Sequence, residues 1–334
     1  MNVLSQNKVK VTIGVCVKNC ANIIGETVNS ILTQDYPHAL MELIFVDDGS
    51  EDDTLSTIKR YLTELDISTR IFHHDWKGLG ASRSVVVDNA NGKYIAWVDG
   101  DMTLSPEFLR QQVEFMDNHP KAGIAKGKYC LSGQGNLVSD LENMEFAISN
   151  LRITCEANSI PLGSGGSIYR VEAIREIGGF DLNITGSGED MDVEQKIRSA
   201  GWLLEITSAV FYERRRKTWK SLWKEYFWHG QGGSFLIRQR KQVINPSTLF
   251  PLMTFKNEMS RVIAAYKLTG RKIALLLPLH YFFKRVAWIT GFTRDRLLRK
   301  SAHESAAKGE QSEKEAEAVI IYRTDDLNMK REKL

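Results

Sequence analysis

Cysteine is scarce in this 334-residue chain. The four present, Cys16, Cys20, Cys130 and Cys155, show no C-x-x-C spacing and no paired histidine run. A disulfide scaffold is therefore excluded, and reduced, partly buried thiols in the cytosol are the simplest expectation. Net charge is scarce as well: a formal +3 gives no support to wholesale nucleic-acid binding. Residues 1–10 are polar and hold no apolar stretch of the kind a secretory signal needs, so none is expected there. No uncharged apolar run in the basic C-terminal region reaches the ~18–20 residues of a spanning helix, and no solenoid-type repeat is found. What is there, 43% apolar and 25% charged residues, is an ordinary globular composition with ample material for a core. The length fits one large domain, or one domain with an appendage.

The charge is unevenly placed. Residues 256–300 hold eleven lysines and arginines against two acids, whereas residues 301–334 hold six against eight. A mildly acidic body thus carries a strongly basic C-terminal region. That region contains two uncharged apolar stretches, Ile273 to Phe283 and Val286 to Thr293, separated by Lys284 and Arg285. Short apolar runs, basic flanks and Tyr281, Phe282 and Trp288 suit a helix pair lying in a membrane interface, drawn to an anionic cytoplasmic leaflet. The alternatives are an ordinary helical subdomain with solvated lysines and arginines, or a re-entrant hairpin. Residues 301–334, rich in Ala, Glu and Lys, read as a solvated helix or a disordered tail. The expected division is 1–240 for the main domain, 241–300 for a basic amphipathic helical region and 301–334 for the tail.

Within the body, strand-like and helix-like patterns alternate. Val9 to Val17 is a β-branched run of strand length, followed by a helical pattern on Ile23, Val28, Ile31 and Leu32 that ends near Tyr36–Pro37. Leu43 to Val46 predicts a second strand. A helix then follows, with Asp52 or Asp53 as N-cap and Leu55, Ile58, Leu62 and Leu65 as its apolar face. Arg70 to His73 and Tyr94 to Val98 predict further strands around a helix over Ala81 to Asn89. Ser105–Pro106–Glu107 opens another helix, with Pro at its first position. Such alternation predicts an α/β fold, a mostly parallel sheet flanked by helices, with ligands beyond the carboxyl ends of the strands. Three polar clusters fall just past strand ends: Lys18–Asn19, Asp47–Asp48–Gly49–Ser50 and Asp99–Gly100–Asp101.

Each motif has a plain structural alternative. Asp99-x-Asp101 after a buried strand can turn two hard carboxylates toward Mg²⁺ or Mn²⁺, or be a solvated turn. Asp47–Asp48–Gly49–Ser50 is turn chemistry by default, but one carboxylate there could accept a hydrogen bond from a nucleobase. Gly78–Leu79–Gly80–Ala81–Ser82–Arg83 enters a helix whose first amides could face phosphate, with Arg83 adding charge. Gly163–Ser164–Gly165–Gly166–Ser167 suggests close backbone approach to a ligand, or a flexible loop. Gly178–Gly179 reads as a helix end. Glu189–Asp190 begins a helix, where the dipole favours acids; functionally, one could take a proton from a hydroxyl while the other orients it. Trp219, Trp223, Phe227 and Trp228 suggest a helical face that is a lid, a membrane-facing surface or core. The adjoining His229 and Gln231 could reach a diphosphate or the metal, though a lone histidine is more often structural.

In this order, V-T-I-G-V-C-V-K-N, S-I-L-T-Q-D-Y-P, F-V-D-D-G-S-E-D-D-T, G-A-S-R-S, Y-I-A-W-V-D-G-D, G-S-G-G-S-I-Y-R, G-G-F-D and G-E-D-M-D, the motifs resemble those of the family 2 glycosyltransferases of the GT-A fold, over about residues 9–240. The resemblance implies an inverting enzyme that uses a nucleotide-diphosphate sugar, UDP- or GDP-linked. It implies that the end of the first strand (Val15 to Asn19, including Val17) and Asp48 or Asp47 hold the nucleobase, that Arg83 lies near the diphosphate, and that Asp99, Gly100 and Asp101 bind nucleotide and metal. It further implies Asp190, beside Glu189, as the catalytic base. Gly165 and Gly166 fall on the acceptor side, where Trp228 and His229 are also expected. Two departures concern the donor site. An aromatic residue followed by Asn and an acid is common after the first strand, where this chain has Lys18–Asn19–Cys20, and A-R-N is common where it has Ser82–Arg83–Ser84. The Q-x-x-R-W of processive synthases is absent, since Gln231 is followed by Gly-Gly-Ser-Phe; single-sugar transfer is expected. The basic, aromatic C-terminal region suggests a lipid-linked acceptor, such as a polyprenyl-linked glycan, at the cytoplasmic membrane face, with the protein peripheral or monotopic.

Rival readings are weaker. A nucleotidyltransferase would want a Gly-rich basic loop after the first strand, and a dinucleotide-binding dehydrogenase a G-x-G-x-x-G there; neither is present. A catalytically dead membrane scaffold of the same fold is disfavoured by the intact Asp99, Asp101, Glu189 and Asp190. A transferase acting on a soluble acceptor remains the alternative to the lipid-linked one.

Overall fold

β-branched runs fold as strands, and the helical patterns between them fold as their crossovers. The computed structural model describes residues 9–62, 66–130, 135–155, 161–184, 186–238, 251–306 and 320–323. Strands β1 (Val11–Val17), β2 (Met41–Asp48) and β3 (Ser68–His74) alternate with helices α1 (Ile24–Leu32), α2 (Thr54–Leu62) and α3 (Leu79–Asn89), and β4 (Tyr94–Trp97) follows. β4, β1, β2 and β3 lie side by side and parallel, as the alternation predicts. All eight residues of β2 are buried, as expected of a strand covered on both faces. One apolar layer joins Val11, Ile13 and Val15 to Ile24, Val28 and Ile31 of α1. The other joins Ile44, Val46 and Trp97 to Val86 and Val87 of α3.

The second half of the body departs from simple alternation. It contains β5 (Met102–Leu104), α4 (Phe108–Asn118), β6 (Ala122–Tyr129), α5 (Leu137–Cys155), β7 (Ser167–Arg170), α6 (Val171–Glu176), α7 (Glu189–Ser199) and β8 (Leu203–Glu213). The nine-stranded sheet, with β9 (Ile320–Arg323) at one edge, runs β5-β8-β6-β7-β4-β1-β2-β3-β9. β7 runs antiparallel to both β4 and β6. Its reversal has a consequence for chemistry: the loop entering β7, Gly163–Gly166, arrives at the same sheet edge as the carboxyl ends of β1, β2 and β4. α4 begins at Phe108 rather than at Pro106, which sits in a turn closed by the Phe108 amide donating to the Ser105 carbonyl at 3.0 Å.

The C-terminal region corrects the expected helix pair. After α8 (Trp219–Arg238) and α9 (Pro251–Thr269), one continuous helix, α10 (Leu277–Ala306), carries the second apolar stretch and most of the first, whose opening residues lie in a 3-10 turn at Lys272–Leu276. Neither glycine nor proline stands at Lys284–Arg285, so nothing breaks the helix there. Lys284 is not a solvated divider either. It is 4% exposed and donates to Glu142 of α5 at 2.7 Å and also to Glu145. Gly230 of α8 and Gly291 of α10 let these two helices touch backbone to backbone, since a Cβ on either would collide with a carbonyl of the other helix. Trp219, 36% exposed, and half-buried Trp223 both meet Phe283 of α10 edge-on, which ties this aromatic face of α8 to α10. In the charged tail, Ile320–Arg323 forms β9, antiparallel to β3; this Ile-Ile-Tyr run is β-forming.

Beside Lys284, His280 bonds Glu142 at 2.6 Å, and its ring is completely buried. Burial alone would raise Glu142, but Lys284 and His280 hold its carboxyl down at about 2. Burial alone would lower His280, but Glu142 and Glu145 raise it above 6.5. The depressed carboxylate stabilises the fold fully above about 4.5 and loses that contribution as pH falls toward 2. The raised imidazole contributes fully below 6.5 and loses it as pH rises through its folded value. The melting temperature of the wild type minus that of Glu142→Gln is therefore expected to peak between these limits and to shrink on both sides. A difference flat from acid to alkaline pH contradicts this role for the cluster.

Candidate functional site

At the carboxyl ends of β1 and β2 the chain ties its own loops together. Asn19 adopts a left-handed φ of 52°, a conformation Asn tolerates better than most residues. Its amide donates to the Ser50 hydroxyl at 2.9 Å, and its side-chain oxygen accepts from the Glu51 amide at 2.8 Å. Asp47 is fully buried. One oxygen accepts from the Ser50 amide and hydroxyl, and the other faces Nδ1 of His73 at 2.8 Å. Asp48 accepts from the amides of Lys77 at 2.8 Å and Gly78 at 3.1 Å, fixing the entry to α3. Both aspartates therefore hold loops in place at this end of the crevice. Gly100 packs on Val17 and Cys20, where a Cβ would lie 3.0 Å from Val17 and 3.2 Å from the Cys20 sulfur. Burial pushes the Cys16 and Cys20 thiols up to about 12, so both stay protonated.

The middle of the crevice is a charge network. Arg83 projects from α3, is 3% exposed, and donates to Glu189 at the start of α7 and, at 3.5 Å, to Asp99 beyond β4. Its guanidinium lies 5.7 Å from the Trp97 ring centroid. Burial alone would lower the Arg83 pKa, but Glu189, then Asp99 and Asp190, raise it above its ordinary value. Burial and then Asp190 push Glu189 up to about 7, against Arg83. The acid pair is thereby divided: Glu189 is committed to Arg83, while half-buried Asp190 faces the glycine loop, with Oδ2 3.7 Å from where a Gly163 Cβ would be. One turn on, Glu194 accepts from the amides of Leu162 at 2.9 Å and Gly163 at 2.6 Å, which pins that loop. At the other end of the loop, a Cβ on Gly165 would meet the Asp99 carboxylate, which would have to move to make room. Gly166, at φ 71°, donates to the Trp97 carbonyl at 2.9 Å.

Sequence reasoning missed Lys126. It rises from β6, and its ammonium donates to the carbonyls of Gly163, at 3.3 Å, and Gly165. Burial lowers its pKa, while Glu213, Asp99, Glu194 and Asp190 oppose the shift. One cation thus feels four acids from three stretches of chain. The available signal was a lone lysine inside the otherwise buried run Ala122–Gly127. Also missed was the pairing of the basic run after β8. Arg216 approaches Asp101 at 3.4 Å, and Arg215 pairs with Glu213 at 3.0 Å. Asp101 and Glu213 line a cavity of about 250 Å³ together with Arg214, Arg215 and Lys217. Burial, then Glu213, push Asp101 up to about 7 against Arg216. Asp99, Asp101 and Glu213 are hard oxygen donors of the kind Mg²⁺ or Mn²⁺ takes, and each is paired here with a guanidinium, of Arg83, Arg216 and Arg215 respectively.

Trp228 and His229 lie on α8, their rings tilted at 47° to one another with centroids 5.4 Å apart. Burial lowers the His229 pKa, opposed by Glu225 and Asp190. Three residues beyond His229, Gly232 meets the backbone of Ser187, and Leu236 packs at Gly188. α8 therefore braces the turn that presents Glu189 and Asp190.

A nucleotide-sugar transferase fold of the GT-A type is what this arrangement of sheet, crevice and acids defines. The sequence model of the family described as Glycosyl transferase family 2 matches residues 12–178, and the chain belongs to that family. It is 31% identical over 193 residues to EpsE of Bacillus subtilis, an alignment covering 55% of this chain and 65% of that protein. It is 32% identical over 101 residues to TarS of Staphylococcus aureus, a poly(ribitol-phosphate) β-N-acetylglucosaminyltransferase, covering 30% of this chain and 18% of TarS. The chain thus spans less than two thirds of the length of these relatives. Among solved structures, the mannosyltransferase PcManGT from Pyrobaculum calidifontis, in complex with GDP-Man and Mn²⁺, superposes with a TM-score of 0.63 at 18% identity. That match covers 86% of this chain and 87% of PcManGT.

Proposed function

We propose that this protein transfers a sugar from a nucleoside-diphosphate sugar to an acceptor hydroxyl with inversion at the anomeric carbon. The observation that carries the reading is the glycine loop Gly163–Gly166, with Asp190 at one end, Asp99 at the other and Lys126 beneath. Asp190 takes the proton of the acceptor hydroxyl. The acceptor oxygen forms its bond to the anomeric carbon as the bond from that carbon to the diphosphate oxygen breaks. The electron pair leaves with the nucleoside diphosphate. Arg83 and Lys126 place positive charge where the diphosphate gains negative charge, which is electrostatic stabilisation of the leaving group. Asp99 and Asp101 would hold the divalent ion, which supplies further charge neutralisation when bound. The complex of PcManGT with GDP-Man and Mn²⁺ and the poly(ribitol-phosphate) acceptor in the name of TarS support a metal-assisted transfer to a glycopolymer or its carrier.

The acceptor in this reading is lipid-linked and is met at the cytoplasmic face of a membrane. No described helix is long and apolar enough to cross a bilayer. Leu275, Leu279, Phe282 and Val286 are nevertheless exposed at helical spacing, near exposed Lys267, Arg271 and Lys272. Apolar side chains with basic neighbours suit the headgroup boundary of anionic lipid. One experiment tests both halves. The full chain is floated with phosphatidylserine vesicles, and the floated fraction is supplied with UDP- and GDP-sugars and Mn²⁺. The protein is expected to float, to lose flotation on Leu279→Asp with Phe282→Asp, and to release nucleoside diphosphate from one donor. Release from protein that does not float leaves a transferase for soluble acceptors; flotation with no release from any donor contradicts the transferase reading.

A further inference from the structure

Trp76 is the most exposed tryptophan among the described residues, at 55%. It is also held firmly. Its amide lies 2.7 Å from where a Cβ on Gly49 would be, so the loop after β3 rests directly on the turn after β2. The next two amides, of Lys77 and Gly78, both donate to buried Asp48. Just before Trp76, His74 approaches the same carboxylate at 3.4 Å. A large aromatic ring is thus fixed by backbone contacts at the mouth of the crevice while more than half of its surface stays open. The Lys18 ammonium, at the end of β1, lies 5.5 Å from the ring centroid. β1 ends in Val17 and runs on into Lys18 and Asn19, so it offers no ring of its own. The aspartates of this corner accept from loop amides and Ser50 and face His73, and the exposed ring adds a stacking surface beside them.

We propose that Trp76 is the stacking platform for the nucleobase of the donor, reached from β3 instead of β1, with Lys18 closing one side. The inference rests on the nucleotide-sugar reading. Stacking of a base on an aromatic side chain is worth about 5- to 100-fold in affinity. It tolerates any aromatic ring and gives nothing to a ligand without a base.

The full chain is titrated calorimetrically with UDP, GDP and inorganic diphosphate in Mn²⁺. Trp76→Ala is expected to weaken the nucleotide that the wild type binds by about 5- to 100-fold, with Trp76→Phe restoring most of the affinity. Inorganic diphosphate should bind wild type and Trp76→Ala equally, and in turnover the loss should fall on KM with kcat kept. Nucleotide binding unchanged in Trp76→Ala, or an equal loss for inorganic diphosphate, overturns the platform while leaving the nucleotide-sugar reading intact. A wild type that binds neither nucleotide overturns that reading, and the platform with it.

Discussion

Asp190→Asn is expected to abolish sugar transfer while leaving the nucleotide sugar bound. Positioned base catalysis is worth about 10²–10⁴ in rate, and the amide keeps the shape of the carboxylate without its ability to take a proton. Asp190 faces the glycine loop, whereas its neighbour Glu189 is buried against Arg83, so Glu189 cannot serve in its place without giving up that partner. Comparison of nucleoside diphosphate release with donor affinity separates the two effects. The expected pattern is a fall of that size in kcat with donor affinity held. A variant that turns over at the wild-type rate excludes Asp190 as the base.

Arg83→Met should damage both the fold and the site. Arg83 and Glu189 have side chains only 3% exposed, and removing one member of such a pair leaves the other buried without compensation. Breaking a buried pair in this way typically costs about 3–5 kcal/mol. Replacing both partners by apolar residues of similar size is often neutral. Arg83→Met alone should therefore lower the melting temperature sharply, and Arg83→Met with Glu189→Met should recover most of it. Nucleotide affinity should be lost in both, because the recovered fold still lacks the cation beside Asp99. Recovery of stability together with affinity would show that Arg83 is structural only.

Much of this was legible in the sequence because parallel strands buried on both faces must be nearly continuous apolar runs, and their carboxyl ends must stop in polar turns. Val11–Val17, Met41–Asp48 and Tyr94–Trp97 could be placed within a few residues for that reason. The glycines of the Gly163–Gly166 loop were visible, but their cause was not. Only the reversed direction of β7 brings that loop against Asp99, and strand direction leaves no mark on composition. Pairings were hidden for a similar reason. Nothing local tells that Lys126 supports the glycine loop, that Glu189 pairs with Arg83, or that Lys284 is buried against Glu142 and Glu145. Asp47 and Asp48 show the reverse case: the motif was plain, and its internal hydrogen bonds appear only with the turns after β2 and β3 in place.

The central claim is that acids from distant stretches of the chain build one nucleotide- and cation-binding crevice. Calorimetric titration of the full chain with its preferred nucleoside diphosphate, with and without Mn²⁺, tests it most directly when wild type is set beside Asp99→Asn with Asp101→Asn. The account predicts tight binding only when Mn²⁺ is present, and loss of that dependence in the double variant. Equal affinity in all four titrations would contradict it.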